Sequence, residues 1–290
     1  MVKKRLKVPF VYNLQDIFPD SMVSTGLMHE GSLLWRIGRK IENYTYNNAD
    51  KIIVIGEDFK KNLINKGVPE EKIEVIYNWV DDEAIEPVKR SDNSLFDELN
   101  LPRDQFYVTY AGNLGESQGI DVILDAAELL RDEANIHFVL FGGGALYEVY
   151  RNKVDKLKLS NLFLFPLQPQ SKVSQVYSLG DVSIVSCKKG VGKGALPSKT
   201  WSIMAAGTPV LASFDTGTEL ERILHDNACG VLVEAGNAAA LVEKILWFYR
   251  SEKERKKMGL QARLIIKKEF SLSTNVSKYI QLFESLCGLN

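Results

Sequence analysis

Residues 187–212 read CKKGVGKGALPSKTWSIMAAGTPVLA. They follow Val182-Ser183-Ile184-Val185, a short solidly apolar run of the kind that forms a strand covered on both faces. A loop of Lys188, Lys189, Gly190, Gly192, Lys193 and Gly194 comes next. Pro197 or Ser198 then opens a short helix, Gly207 closes it, and Pro209 leads into the strand Val210-Leu211-Ala212. Pro fits a first helical turn, Ser caps one, and Gly supplies a left-handed stop. A helix start offers free N–H groups and a favourable dipole to an anion. Glycines let a ligand approach the backbone, and lysines add full charge. The combination suits gripping a diphosphate. By local pattern alone it suits an ordinary crossover with a solvated lysine loop equally well.

Working outward, the same alternation of strand and helix runs along the chain. Before this stretch lie strands at Tyr107–Ala111, Ile136–Phe141 and Leu162–Phe165, and helices at Asp121–Arg131, Leu146–Lys158 and Lys172–Leu179. After it come Val210–Ser213, Val231–Val233 and helices at Ala238–Tyr249, Glu252–Lys268 and Thr274–Cys287. Upstream of residue 80, strands are predicted at Val8–Leu14, Lys51–Ile55 and Ile73–Ile76, with helices at Ser32–Tyr46 and Asp58–Lys66. The polar stretch Asp81–Arg103 carries Pro87 and Pro102 and reads as a linker with one helical turn. Alternating elements predict α/β architecture with parallel sheets, and glycines at strand carboxyl ends mark where such sheets bind ligands. Two lobes follow, residues 1–88 and 89–290, with the last helix returning to the first lobe.

With 290 residues, 45% hydrophobic and 25% charged, and a formal net charge of −1, the chain is an ordinary globular one. Nothing in that charge invites nucleic acid. Cys187, Cys229 and Cys287 are odd in number and lack metal-ligand spacing, which suits a reducing cytoplasm. His29, His137 and His225 are too scattered for a metal site or a triad. No apolar run approaches the ~20 residues that span a bilayer. In the Ser32–Tyr46 helix, Leu33, Leu34, Ile37, Ile41 and Tyr44 form one stripe, with Arg36, Arg39 and Lys40 largely off it. Its width favours a helix packed on its own sheet; the alternative is a helix resting on anionic lipid.

Five pieces in order carry a resemblance: residues 10–20 (FVYNLQDIFPD), 75–81 (VIYNWVD), 110–115 (YAGNLG), 141–144 (FGGG), and 197–199 (PSK) leading to 205–210 (AAGTPV). The chain resembles the retaining "group 1" glycosyltransferases of GT-B fold, within them the bacterial enzymes of capsule, O-antigen and exopolysaccharide synthesis. The resemblance implies two Rossmann-like lobes. It also implies metal-independent transfer of a sugar from a nucleoside-diphosphate sugar to a lipid-linked or oligosaccharide acceptor, with retention. No cofactor is expected, and no Asp-x-Asp pattern is present to hold a metal ion. The expected location is the cytoplasm, peripheral at the inner membrane face.

Site residues follow from the same resemblance. Donor binding falls to Gly112, Asn113, Gly115, Gln118, Gly142, Gly143, Lys193, Pro197, Ser198, Lys199 and Ser202. Asp16, beside Gln15, is the candidate catalytic residue facing the acceptor, and a solvated turn residue is its other reading. The chain departs from the family where Asn113 and Gln118 replace an Arg and a Lys that neutralise the diphosphate. It departs again where Gly194 and Ser202 replace two glutamates eight apart. Positive charge is therefore expected from Lys199 first, then Lys193 or Lys188. The family's glycine-rich opening is not matched, so the amino-terminal lobe reads as incomplete: a truncated piece, a degenerate gene or half of a split enzyme. From that we expect a homo-oligomer or a complementary chain, and either an enzyme or a nucleotide-sugar-binding subunit inactive alone.

Overall fold

Short runs rich in Val and Ile form nine strands among the residues described by the computed structural model, which are 5, 7–24 and 26–289. The strands make two wholly parallel sheets. The chain divides into two compact units, residues 1–79 with 193–196 and 269–290, and residues 80–192 with 197–268.

In the first unit β1 (Val11–Leu14), β2 (Lys51–Val54) and β3 (Ile73–Val75) lie in that order. Tyr12 stands opposite Ile52, and Ile52 opposite Ile73. The first strand begins later than the predicted Val8. Pro9 has no N–H to give to a ladder. Leu14, Ile52, Val54, Phe59 and Leu63 form the buried centre of this unit. The carboxyl-terminal helix Leu272–Cys287 belongs here too, its first turn held by Ser271 Oγ accepting from Thr274 N at 3.2 Å. Phe270 sits 4.9 Å from the Tyr77 ring and Tyr279 stands edge-on to Trp79 at 5.7 Å.

The Leu33–Asn48 helix corrects the favoured reading of its apolar stripe. Leu33, Leu34, Ile37, Ile41 and Tyr44 are all exposed, and the buried face is Gly38, Glu42 and Tyr46. Two features allow this inversion. Gly38 lacks the Cβ that would meet the Phe18 ring at 2.7 Å. Glu42, although buried, accepts from Lys66 Nζ at 2.8 Å, Tyr46 Oη at 2.7 Å and Arg39. Lys66 in turn pairs with Asp20 at 2.8 Å. A buried carboxylate is tolerable only with such a full set of donors.

In the second unit the order is β6-β5-β4-β7-β8-β9. The strands are β4 (Phe106–Asn113), β5 (Ile136–Gly143), β6 (Leu162–Pro166), β7 (Val182–Ser186), β8 (Val210–Phe214) and β9 (Gly230–Glu234). The order reverses direction between β4 and β7, and parallel sheets open a crevice at such a reversal. Tyr110, Ile123, Phe138, Leu140, Ile184, Leu211 and Phe248 fill one buried face and Tyr107, Phe141 and Leu179 the other. The helix Glu219–Asp226 is absent from the sequence reading. It is eight residues long, and its buried side is Leu220, Ile223 and Leu224 with the charged Glu219, a short and mixed pattern.

The predicted linker is not slack. Glu86 N and Val88 N donate to Ser174 Oγ (3.2 Å) and Ser178 Oγ (2.9 Å), and Arg90 pairs with Asp181. Arg263 donates to the carbonyls of Asp82 (2.7 Å), Ile85 (2.8 Å) and Ala205 (2.8 Å). These bonds fasten residues 82–90 along the second unit. No helix among the described residues is long and apolar enough to cross a membrane.

Candidate functional site

Two loops meet at the crevice, one after β4 and one after β7. Lys188 N donates to Ser117 O at 2.8 Å, and a Cβ on Gly119 would lie 2.9 Å from Cys187 O. Register sets Gly112 beside Gly142 and Asn113 beside Gly143, so the carboxyl ends of β4 and β5 are level. Asn113 Nδ2 reaches Gln118 Oε1 at 3.5 Å, and Gln118 Oε1 accepts from Gly115 N at 3.1 Å. Thus Gly112, Asn113, Gly115, Gln118, Gly142 and Gly143 are brought together, as one rim of backbone and neutral amides.

Lys199 begins the helix Lys199–Ala205 and extends over this rim. Its Nζ donates to Tyr110 Oη at 2.8 Å and lies 4.3 Å from the centre of the Tyr110 ring. Tyr110 Oη donates onward to Asn113 O at 2.7 Å. A Cβ on Gly112 would stand 3.1 Å from the Lys199 ammonium, so a side chain there would displace it. Lys199 makes no ion pair among the described residues, and burial pulls its pKa down to about 8. Burial likewise raises that of Tyr110, so the phenol stays protonated at neutral pH. An ammonium has three donors, and Tyr110 takes one. A half-desolvated cation with spare donors, at a crevice lined by glycine backbone, is a place for an anion.

The remaining predicted residues fall differently. Thr200 N and Trp201 N bond back to Pro197 O (3.0 Å) and Ser198 O (3.1 Å), which uses two of the first-turn donors. Burial raises the pKa of the Tyr177 phenol, and the Ser202 side chain offsets part of that rise. Lys188 is paired with Glu116 at 2.7 Å and Lys189 with Glu234 at 2.6 Å, so neither offers a free charge to the crevice. Lys193, Gln15 and Asp16 belong to the first unit and are exposed, with Gln15 Nε2 donating to Asn13 Oδ1 at 2.7 Å.

Two residues of this site escaped the sequence reading. Tyr110 looks like one more apolar strand residue; only its hydroxyl, aimed at Lys199, gives it a role. Asp215 is buried beyond β8 and accepts from Gly190 N (2.9 and 3.0 Å) and Gly192 N (2.8 Å), which pins the glycine–lysine loop. An acid directly after a mostly apolar strand was the available signal. A second concavity, at the amino-terminal edge of β4, is lined by Arg90, Phe106, Asp181 and Arg255. Both arginines pair there with Asp181, at 2.5 and 3.2 Å, so it is a structural clasp.

Residues 91–265 match the model of the family described as "Glycosyl transferases group 1", and residues 1–84 that of "Glycosyltransferase Family 4". Among curated proteins the chain is 27% identical to a probable glycosyltransferase, WbjE, of Pseudomonas aeruginosa, over 84% of this chain and 61% of that one. It is 29% identical to the putative colanic acid biosynthesis glycosyl transferase WcaI of Escherichia coli K12, over 81% and 58%. The chain thus spans about three fifths of the length of these relatives. Among solved structures, Anabaena HepE in complex with UDP and glucose superposes with a TM-score of 0.78 at 18% identity, over 98% of this chain and 73% of that one. That likeness shows the GT-B fold.

Proposed function

The chain belongs to the group 1 glycosyl transferases, and from that premise we propose that it transfers a sugar from a nucleoside-diphosphate sugar to a lipid-linked or oligosaccharide acceptor in surface-polysaccharide synthesis. The observation that carries this reading is the uncompensated Lys199 ammonium over Gly112 at the crevice. The donor diphosphate lies along the Gly112–Gly115 and Gly142–Gly143 backbone, with Lys199 against its oxygens. As the bond from the anomeric carbon to the diphosphate breaks, negative charge grows on the leaving oxygen. A preformed cation at that point lowers the barrier, because it is stronger against the departing group than against the bound donor. The acceptor hydroxyl bonds to the anomeric carbon and its proton leaves with the diphosphate. Charge on the leaving group is met by this lysine, a metal-independent arrangement; retention is inferred from family membership.

Asn113 and Gln118 serve as neutral hydrogen-bond partners in this reading, so Lys199 carries alone a charge that its family commonly divides between two residues. Pro197 and Ser198 shape the approach to Lys199, and Ser202 is assigned to a donor ribose. Asp16 receives the acceptor side. Uridine as the donor base is supported by the UDP in the HepE complex. A lipid-linked acceptor sets the working place at a membrane surface. Calorimetric titration with uridine diphosphate tests the reading. Lys199→Met should weaken binding roughly ten- to a hundredfold, the worth of one charge-assisted hydrogen bond. Equal affinity in wild type and variant removes Lys199 from the site.

A further inference from the structure

The exposed stripe of the Leu33–Asn48 helix is unusual for a helix packed on a sheet. Leu33, Leu34, Ile37, Ile41 and Tyr44 expose 75%, 68%, 46%, 60% and 68% of their surface, four aliphatic side chains and an aromatic ring on one arc. Scattered exposed leucines are ordinary; a row of five along about three turns is not. The polar fringe is one-sided. Arg36 and Lys40, one turn apart, run along one edge of the row, both exposed and neither in an ion pair among the described residues. Beyond them Asn43 and Asn47 are neutral. The helix's only acid, Glu42, points inward, where Lys66, Arg39 and Tyr46 hold it. The outward face therefore carries apolar bulk and positive charge with no negative charge at all.

We infer that this face lies in the interface of an anionic lipid bilayer. The helix axis runs parallel to the membrane plane, the Leu33–Tyr44 row enters the acyl boundary, and Arg36 and Lys40 meet lipid phosphates. An interfacial helix needs this combination of apolar row and cationic fringe. Tyr44 adds an aromatic ring of the kind that settles at headgroup depth. A second copy of the chain would offer the same face, with cations and no acid to complement them. The inference deepens the reading of a lipid-linked acceptor and rests on it, since it brings the enzyme to the surface where such an acceptor lies.

Vesicle co-sedimentation tests it, with no donor or acceptor present. Wild-type protein should pellet with vesicles of phosphatidylcholine and phosphatidylglycerol, remain in solution with phosphatidylcholine alone, and be released by high salt. Arg36→Gln with Lys40→Gln should weaken binding about thirtyfold at low salt, two basic side chains at the usual worth near an anionic surface. Ile37→Glu with Ile41→Glu should abolish it. All these positions are exposed; each variant should keep the wild-type circular dichroism, which shows that it is folded, and bind uridine diphosphate as wild type does, which shows that the donor site is untouched. Wild-type protein that stays in solution with anionic vesicles overturns the inference, as does equal pelleting of the variants. So does Ile37→Glu with Ile41→Glu converting an oligomer to a monomer without any vesicle binding, which would assign the face to a second copy. Loss of nucleotide binding in wild type would instead refute the donor-site reading and leave the lipid result standing.

Discussion

Raising the pH from 7 to 9 should weaken the binding of a nucleoside diphosphate about tenfold, and Lys199→Arg should erase that loss. Burial without a counter-charge holds the Lys199 ammonium at about 8, against its ordinary 10.5. At pH 7 roughly nine molecules in ten carry the charge, and at pH 9 about one in ten. A bound diphosphate supplies the missing anion and returns the lysine towards its ordinary value. Binding therefore draws in a proton above pH 8. The affinity is full below pH 8, falls as the pH rises through 8 towards 10.5, and levels off beyond. Folding follows the same depressed value. The unfolded lysine keeps its ordinary pKa, so the penalty for burying the ammonium is fully present below pH 8 and is relieved as the pH rises above it. A terminal phosphate loses its last proton near pH ~6 and so adds nothing to the slope between 7 and 9. Arginine stays charged throughout this range, so the Lys199→Arg profile should be flat. Calorimetry at pH 7, 8 and 9, in buffers of different ionisation enthalpy, reads both the affinity and the proton uptake. A wild-type affinity that is constant over this range with no proton taken up would refute the reasoning, because Lys199 would then carry its charge independently of the ligand.

Three further outcomes follow from packing and hydrogen bonding. Gly259→Ala places a methyl group on the Gly207 carbonyl oxygen, which cannot yield, and should cost about 1–3 kcal/mol in urea denaturation; an unchanged midpoint would mean the two backbones separate freely. Asp215→Asn presents an amide to the N–H groups of Gly190 and Gly192, so hydrogen exchange over residues 188–194 should quicken by about tenfold or more, while an unaltered rate would show the loop is held by something else. Glu42→Gln leaves Lys66 buried without its carboxylate and should destabilise the first unit by roughly 3–5 kcal/mol; loss of less than ~1 kcal/mol would show that Asp20 suffices for the lysine.

Much of the protein is decided by local pattern. Apolar runs such as Ile52–Val54 and Phe138–Phe141 form parallel strands because they can be covered on both faces, and Gly112, Gly142 and Gly143 mark strand ends because only bare backbone leaves room there. The five ordered pieces from Phe10 to Val210 pointed to the family that residues 91–265 match. What local pattern could not decide is which side of an amphipathic helix is the inside. In the Leu33–Asn48 helix the apolar row faces out because a glycine admits Phe18 and a cation 24 residues away neutralises Glu42. It put Lys199 ahead of Lys193 and Lys188 by position, but it could not show which lysines the fold neutralises, and there Lys188, Lys189 and Lys199 differ. Two of them meet glutamates 72 and 45 residues distant, and the third meets only a tyrosine hydroxyl. A lysine's charge is set by its surroundings in space, by how far it is desolvated and by which carboxylates lie within a few ångströms, and those distances exist only once the chain has folded.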